Sequence, residues 1–309
     1  MNHPESLTYI VTGATSFIGS RLIADLLSQG NKVYAVCRPN SKNISNLVPH
    51  DDLSIIQIDY DSIREIDKLI RKGDVFINLA WKGTNHEERN NEEINRTNIA
   101  NTLDAMKAAK RMGCKLFVES GSQAEYGYMD EITDEKSPCN PFTAYGKAKL
   151  EVLKKCSLLA KNIEIGYLHL RIFSVYGGND HDYTLFRTCL KGMKANQPIS
   201  LSDCTQKWNF LYIDDAVSII IALAKKLYSI LKDGETEVVN VASRDTRQLS
   251  EFVIEMHRLL NSSSELKFGD YKADRLLSII PSTDKLFSII GKDHPIRDFK
   301  SGVLDSINE

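Results

Sequence analysis

Residues 7–22 read LTYIVTGATSFIGSRL, and this stretch decides the fold. Its first residues favour a strand, Gly13 suits a tight turn, and apolar residues then recur at helical spacing through Leu27. Gly19 allows close packing of that helix. A strand, a glycine turn and a helix in this order direct backbone N–H groups at a pyrophosphate held on the helix amino terminus. Such a turn also suits a fold that binds no ligand there.

Strand-like and helix-like runs alternate through the first 173 residues. The predicted strands after the first are at residues 32–37, 53–59, 74–79, 115–120 and 164–173. This alternation predicts an α/β fold with a doubly wound parallel sheet. From Gly177 onward, polar loops separate short helical segments, with one isolated strand candidate at residues 237–241. We therefore predict a domain over residues 1–176, whose glycine turn suits a dinucleotide, and a smaller carboxyl-terminal lobe over residues 177–309.

Composition excludes several classes of function. The chain has 309 residues, of which 42% are hydrophobic and 26% charged, so it can bury a large core. The net charge of -2 gives no reason to expect nucleic acid or an anionic membrane as a partner. Six cysteines stand without the Cys-x-x-Cys spacing of a metal or redox site, which favours free thiols, no metal and a cytoplasmic location. Neither a signal peptide nor an apolar run of about 20 residues stands out, so we expect a soluble protein.

Tyr145 and Lys149 stand four residues apart at the head of a helix-like stretch. Residues at this spacing share one helix face, so the ammonium can hold the phenol ready to pass a proton. The spacing alone is also common on a solvated helix face. Ser122 follows an apolar strand in a hydroxyl-rich loop, and its interval from Tyr145 allows a strand-end hydroxyl to meet a helix-borne phenol.

Together these segments resemble the extended short-chain dehydrogenase/reductases of the NAD(P)-dependent epimerase/dehydratase family, whose members act on nucleotide-linked sugars. The resemblance covers nearly the whole chain in seven ordered segments. They are the loop at residues 13–19, the strand end at 77–80, Asn98, the loop at 122–127, the Tyr145/Lys149 pair, residues 171–177 and residues 210–215.

The resemblance implies a Rossmann fold, a nucleotide-sugar partner and, as one option, a homodimer. Tyr145 would be the general acid or base at the sugar oxygen, Ser122 would bond the same oxygen, and Lys149 would reach the nicotinamide ribose. The carboxyl-terminal lobe would close the sugar site over the cofactor. The implied cofactor contacts are Gly13, Thr15, Ser16, Phe17, Ile18, Gly19, Asp59, Tyr60, Leu79, Ala80, Asn98 and Lys149.

The end of the second predicted strand distinguishes NADP from NAD. Arg38 stands there, whereas an NAD enzyme usually has a carboxylate that binds the ribose 2′-hydroxyl. A guanidinium can make paired hydrogen bonds to a 2′-phosphate, and Ser41 and Lys42 can add donors. We therefore predict NADP(H) as the cofactor, with NAD(H) less favoured. A solvated surface arginine is the alternative for Arg38.

Asp59 and Asn98 each have two possible interpretations. Asp59 resembles the family's acceptor for the adenine amine, but it could equally cap a helix beginning near Ser62. Asn98 resembles a residue that braces the active-site helix or a proton-relay water. A buried asparagine could also serve only its own backbone neighbours.

Departures from the family pattern lie in the glycine loop and in the substrate half. Ser16 stands where the loop usually has its middle glycine, and its hydroxyl can still face a phosphate. Ser174 replaces an asparagine, and Lys207 and Trp208 stand in a segment where many members carry an arginine that grips the substrate diphosphate. We predict that Lys207 or Arg187 binds the phosphate. Trp208 either stacks on a base or fills the core.

These features favour reduction of a nucleoside-diphosphate 4-keto-6-deoxy sugar, for example a dTDP- or CDP-linked one, to the 4-hydroxy sugar. Such a step supplies deoxy sugars for bacterial surface polysaccharides such as O-antigen. Arg38 favours this reaction because a reductase consumes NADPH, whereas a 4-epimerase, the alternative enzyme, keeps NAD bound. A dinucleotide-sensing binding module is the non-enzyme alternative, although such proteins usually lose the Tyr or the Lys. Dehydration is disfavoured because Gln123 and Ala124 replace its acidic pair.

Overall fold

Seven parallel strands form a central sheet in a computed structural model of the chain, which describes residues 6–85, 87–129, 131–272 and 277–307. The strands are β1 (Thr8–Thr12), β2 (Lys32–Cys37), β3 (Leu53–Gln57), β4 (Val75–Asn78), β5 (Leu116–Ser122), β6 (Gly166–Ile172) and β10 (Thr236–Val241). Their order is β10-β6-β5-β4-β1-β2-β3, so the chain winds outward from β1 in both directions. The predicted doubly wound Rossmann fold is confirmed.

The middle of this sheet is fully buried. Tyr9, Ile10 and Val11 of β1 have no exposed surface, and neither have Phe76 of β4 and Phe117 of β5, whose rings stack with centroids 5.4 Å apart. Continuous apolar strands of this kind are typical of parallel sheets covered by helices on both faces. The core that supports the strand ends therefore runs through β1, β4 and β5.

Helices connect the strands. They are α1 (Phe17–Ser28), α2 (Glu92–Arg111), α3 (Ala144–Ile163) and α5 (Ile213–Ile230), with 3₁₀ helices at Ile44–Asn46, Tyr60–Lys68 and Gln123–Glu125. The Asn91 side chain caps α2 by accepting the N–H groups of Glu93 and Ile94. Acidic residues in the first turn of α2 and basic residues in its last turn complement the helix dipole. Within the described ranges, no helix combines the length and the apolar character of a membrane span.

The remaining elements are short and lie between β6 and the carboxyl terminus. A three-stranded sheet contains β7 (Ser174–Tyr176), β9 (Lys207–Tyr212) and β11 (Thr246–Gln248), and β8 (Ile199–Ser200) pairs with β12 (Leu266–Lys267). The helices are α4 (Leu185–Lys194), α6 (Leu249–Leu259), α7 (Asp284–Ile290) and α8 (Phe299–Ile307).

The chain divides into two compact units of three segments each. Unit 1 consists of Met1–Gly127, Pro138–Ile172 and Val217–Val239. Unit 2 consists of Tyr128–Ser137, Phe173–Ala216 and Asn240–Glu309. The units alternate along the sequence, and the single boundary between residues 176 and 177 remains a prediction.

The sequence pattern predicts the positions of the central strands in the chain better than it predicts which strands pair. The predicted strands up to β6 all begin and end within two residues of the observed ones. The isolation predicted for residues 237–241 is wrong, because β10 adjoins β6 in the central sheet and Val239 and Val241 are fully buried. A local pattern cannot show a pairing partner so distant in sequence. The short strands β7, β8, β9, β11 and β12 also escape the sequence pattern.

Candidate active site

The carboxyl ends of β1, β2, β4 and β5 meet at one edge of the central sheet. Thr12 at the end of β1 lies beside Val36 of β2 and Asn78 of β4, and Asn78 lies beside Glu119 of β5. Open parallel α/β sheets bind their ligands outside this edge. The loops that follow these strands, together with the first turn of the helix after β1, carry most of the predicted cofactor residues.

Gly13 allows two of these loops to approach closely. Its φ of +65° lies in the left-handed region, and a Cβ there would lie 2.9 Å from the carbonyl carbon of Leu79 and 3.0 Å from the nitrogen of Ala80. A Cβ on Gly19 would collide with the carbonyl oxygen of Gly13. The structure thus brings four of the predicted cofactor residues together, in a cradle that requires glycine at both positions.

Ser16 caps the helix that follows the turn. Its Oγ accepts the N–H of Gly19 at 3.1 Å, which satisfies one donor of the first turn of α1. Phe17 and Ile18 are the first two residues of α1, where backbone N–H groups can bind an anion. The hydroxyl of Ser16 is therefore used by the helix, and its contact with a phosphate remains a prediction.

Arg38 directly follows β2 in a segment that contacts the glycine turn. The N–H of Ala14 donates to the carbonyl of Val36 at 3.3 Å, and Thr15 Oγ1 lies 3.0 Å from Ser41 Oγ, so the turn and the segment after β2 are held together. The Arg38 side chain is exposed and makes no hydrogen bond or ion pair with the part of the chain that the structure describes. This position suits an incoming anion and also suits a solvated arginine.

Asp59 and Asn98 hold backbone segments near the same edge. Asp59 accepts the N–H of Asp61 at 3.0 Å and caps the 3₁₀ helix Tyr60–Lys68; this hydrogen bond and the Lys82 ammonium lower the pKa of Asp59. Asn98 accepts the N–H of Lys82 at 2.9 Å and donates to its carbonyl at 2.8 Å. The capping interpretation therefore describes the observed contact of Asp59, whereas Asn98 holds the backbone of a residue that is distant in sequence and not a chain neighbour. The adenine and relay roles remain predictions.

A buried polar cluster lies beneath the strand ends. Asn78 donates to Glu119 Oε2 at 2.7 Å and to the Tyr60 hydroxyl at 2.9 Å, and its own Oδ1 accepts the hydroxyl of Thr12 at 2.6 Å. The side chain of Tyr60 thus points into the core. Burial raises the pKa of Glu119, although Lys149 and Asn78 lower it in part.

The ammonium of Lys149 is buried at the end of β5. Nζ donates to the carbonyl oxygen of Ser120 at 2.6 Å and lies 3.5 Å from Glu119 Oε1. It also lies 3.6 Å from the centroid of the Trp81 ring and 5.9 Å from the centroid of the Tyr145 ring. Because Lys149 is only 2% exposed, a solvated helix face does not describe its environment.

Ser122 and Tyr145 lie on two segments that pack together. Ser122 ends β5, and its Oγ accepts the N–H of Ala124 at 3.2 Å. Tyr145 is the second residue of α3, and the next residue, Gly146, has no room for a Cβ because the carbonyl oxygen of Ala124 fills that space. The start of α3 therefore rests on the turn after Ser122. This packing supports a shared catalytic role, which remains a prediction.

Three residues of this region were not among the predicted site residues. The guanidinium of Arg89 lies 4.1 Å from the centroid of the Tyr145 ring, and Trp81 meets that ring edge-on at 5.9 Å. Glu119 pairs with Lys149 while fully buried. A charged residue in an otherwise apolar strand was the available signal for Glu119. Nothing in the local pattern marks Trp81 or Arg89.

The four predicted substrate residues all belong to unit 2. Ser174 lies on β7, and Arg187 on α4 pairs with Asp182 at 3.4 Å. Lys207 and Trp208 are neighbours on β9, with Lys207 exposed and Trp208 half-buried 6.2 Å from the Phe210 ring. The packing of Trp208 fits a core role, and binding of substrate by all four remains a prediction.

Two curated proteins and one solved structure illustrate what the chain is similar to. It is 26% identical over 316 residues to the uncharacterized UDP-glucose epimerase YtcB of Bacillus subtilis (strain 168), covering 96% of each chain. It is 27% identical over 219 residues to the dTDP-6-deoxy-L-talose 4-dehydrogenase (NAD(+)) of Aggregatibacter actinomycetemcomitans, covering 68% of this chain and 77% of that protein. A further match is to a solved structure, with a TM-score of 0.87 at 20% identity, covering 99% of this chain and 98% of that chain. That structure is UDP-N-acetylglucosamine 4-epimerase from Methanobrevibacter ruminantium M1 in complex with UDP-N-acetylmuramic acid.

A family model decides the affiliation. The structural match at 20% identity shows the fold alone, and the fold agrees with the sheet order and the glycine cradle described above. The family model matches residues 9–242, which is most of the chain and includes the cradle, the Ser122 turn and the Tyr145/Lys149 pair. The chain belongs to the NAD dependent epimerase/dehydratase family.

Proposed function

We propose that this chain reduces a nucleoside-diphosphate 4-keto-6-deoxy sugar to the 4-hydroxy sugar with NADPH, a step that supplies deoxyhexoses for surface polysaccharides. The observation that carries this proposal is the exposed guanidinium of Arg38 directly after β2, which has no partner among the residues that the structure describes. A carboxylate there would accept the ribose hydroxyls of NAD, whereas a guanidinium attracts the 2′-phosphate of NADP. A dissociable NADPH is the cofactor of a net reduction.

The chain's own residues suit such a reaction. The cradle of Gly13, Gly19 and the first turn of α1 would hold the dinucleotide pyrophosphate, and Lys149 would bind the nicotinamide ribose. Bound NADPH supplies the hydride. Tyr145 would donate the proton to the former ketone oxygen, and Ser122 would donate a hydrogen bond to the same atom.

One relative supports chemistry at C4 of a deoxy sugar. The name of the Aggregatibacter protein describes a 4-dehydrogenase of a dTDP-linked 6-deoxy sugar, which is the reverse of the proposed reduction. The same name specifies NAD(+), so the preference for NADPH rests on Arg38 of this chain and not on that relative. A cytoplasmic location for this protein is part of the proposal and is supported by its six free cysteines.

A 4-epimerase is the second candidate. The names of the Bacillus relative and of the Methanobrevibacter structure both describe epimerases of UDP-linked sugars. An epimerase would keep NAD bound and reoxidise it in place, so it would show no net consumption of cofactor.

The proposal is tested by incubating the purified protein with NADPH or NADH and a panel of dTDP- and CDP-linked 4-keto-6-deoxy sugars. We expect loss of nicotinamide absorbance with NADPH and a product two hydrogens heavier by mass spectrometry. A parallel incubation with 4-hydroxy nucleotide sugars tests the alternative, and interconversion of two C4 epimers without consumption of reduced cofactor would replace the reductase by the epimerase.

A further inference from the structure

Glu125 is a buried carboxylate directly behind Ser122. It is fully buried, and its Oε1 accepts the backbone N–H of Ser122 at 2.8 Å. The same oxygen lies 2.8 Å from His169 Nε2, while Oε2 accepts Nε of Arg171 at 3.0 Å. Glu125 therefore joins the turn after β5 to two side chains of β6.

The charge of Glu125 is well compensated. Burial alone would raise the pKa of Glu125, but His169, Arg171 and the Ser122 N–H together lower it to about 2. An ionised carboxylate only accepts hydrogen bonds, so Nε2 of His169 carries the proton in this contact. Its Nδ1 lies 2.7 Å from the Tyr167 hydroxyl. A buried charge is retained in a protein when it is paired and hydrogen-bonded in this way.

The backbone leaves room for this cluster because Gly121 has no side chain. A Cβ on Gly121 would collide with Nε2 of His169 and would lie 2.6 Å from Oε1 of Glu125. On the other side, the Arg171 guanidinium stacks on the Tyr126 ring at 4.3 Å. The 3₁₀ turn between Ser122 and Tyr126 is thus held by contacts with the side chains of Glu125, His169 and Arg171.

The turn held by Glu125 also carries the hydroxyl of Ser122. Its Oγ accepts the N–H of Ala124 at 3.2 Å, which uses one of its lone pairs and leaves the hydroxyl hydrogen and the other lone pair for a ligand. A ketone oxygen can only accept a hydrogen bond, so toward that atom Ser122 acts as the donor. The turn that sets this direction is the one that Glu125 holds through the Ser122 N–H.

We propose that Glu125, supported by His169 and Arg171, is a positioning residue that orients the Ser122 hydroxyl as a hydrogen-bond donor to the sugar's reacting oxygen. The contact of Ser122 with that oxygen rests on the proposed function. The position of the turn does not, because it follows from hydrogen bonds within unit 1 alone.

Glu125→Gln tests the orientation because it keeps the side-chain size and removes the charge that His169 and Arg171 share. We expect kcat to fall by about 10–100-fold, since small displacements of a reacting group have effects of that size. The KM for NADPH should change by less than about threefold. In a Ser122→Ala background, the same substitution should lower kcat by no more than about twofold, because Glu125 acts through Ser122. An equal loss in both backgrounds would overturn the proposal.

Two further variants control for the loss of a carboxylate elsewhere and for a failure of Glu125→Gln to fold. Glu151→Gln removes an exposed carboxylate of α3 that pairs with Lys155, and it should leave kcat unchanged. If Glu125→Gln does not fold, Glu125→Asp keeps the charge and withdraws it from the Ser122 N–H by one methylene. The aspartate variant should also lower kcat in the wild-type background and not in the Ser122→Ala background.

Hydrogen exchange separates this inference from the proposed function. If the wild-type protein reduces no 4-keto sugar, the reductase proposal fails, yet the turn can still be measured in the full chain. Amides of residues 122–126 should exchange faster in Glu125→Gln than in wild type, while those of β1 should not change. Unchanged exchange in the turn would show that Glu125 does not hold it.

Discussion

Tyr145 can be changed by a single atom. Its ring packs against Arg89 and Trp81, so phenylalanine keeps those contacts and removes only the hydroxyl. We expect Tyr145→Phe to lower turnover by about 10²–10⁴-fold, because the proton donor is lost. NADPH affinity should stay within about twofold of wild type. Initial rates and fluorescence titration with NADPH measure the two effects.

The matched control for this change is Tyr34→Phe, which removes a hydroxyl from β2 in the same unit. It should leave turnover near the wild-type value. Near-normal turnover in Tyr145→Phe would exclude Tyr145 from the proton transfer.

Arg38 allows the choice of cofactor to be reversed. Its guanidinium has no partner to lose within the described chain, so replacing it acts on the ligand and hardly on the fold. We expect Arg38→Asp to weaken NADPH binding by about 1–3 kcal/mol and to leave NADH binding equal or stronger. Paired titrations with both nucleotides give the answer, with Arg64→Asp on the 3₁₀ helix Tyr60–Lys68 as a charge-reversal control. A wild-type protein that prefers NADH would contradict the argument.

The contact between β5 and α3 contains a buried ion pair. Lys149→Met would leave Glu119 buried without its counter-charge, and breaking such a pair costs about 3–5 kcal/mol of unfolding free energy. Burial already raises the pKa of Glu119, and loss of the ammonium would raise it further. A carboxyl group whose pKa is raised by folding binds its proton more tightly in the folded state. The folded state therefore becomes more stable relative to the unfolded state as the pH falls through that pKa.

We therefore expect the stability difference between wild type and Lys149→Met to be smaller at about pH 5 than at about pH 8. Urea denaturation at both pH values measures the two unfolding free energies. The double variant Glu119→Gln/Lys149→Met removes both charges, and it should regain part of the stability at the higher pH without regaining turnover. A difference that does not vary with pH would mean that Glu119 is not the group left unpaired.

The elements differ in how far the sequence predicts them. The strand, glycine turn and helix at residues 7–22 follow from local propensity and from the conformation that Gly13 requires, and the structure agrees. Spacing also places Tyr145 and Lys149 on one helix, but it cannot show that the ammonium is buried against Trp81. The two side-chain partners of Glu125, His169 and Arg171, are 44 and 46 positions away in the chain, so only the assembled sheet reveals the cluster. Long-range partners are what local patterns leave out.

At the scale of the whole molecule, the fate of the cofactor distinguishes the two candidate enzymes. An epimerase must hold its dinucleotide through both half-reactions, whereas a reductase releases the oxidised form after each turnover. We expect protein purified without added cofactor to be largely free of dinucleotide and to bind NADPH reversibly. Absorbance spectra before and after gel filtration, with extraction and chromatography of any nucleotide, measure the content. Stoichiometric NAD that survives gel filtration would favour the epimerase.

The alternation of the two units along the chain has a consequence for synthesis on the ribosome. Unit 1 requires Val217–Val239, and β10 supplies the neighbour that closes the edge of β6 in the central sheet. The nascent chain must therefore extend far beyond Ile172 before that edge can pair, which takes on the order of ten seconds at ordinary elongation rates. During that interval β6 presents unpaired N–H and carbonyl groups, the feature through which sheets recruit foreign strands. Newly made chains are thus most vulnerable to aggregation before β10 emerges, and a fragment ending after β6 would keep that vulnerability permanently.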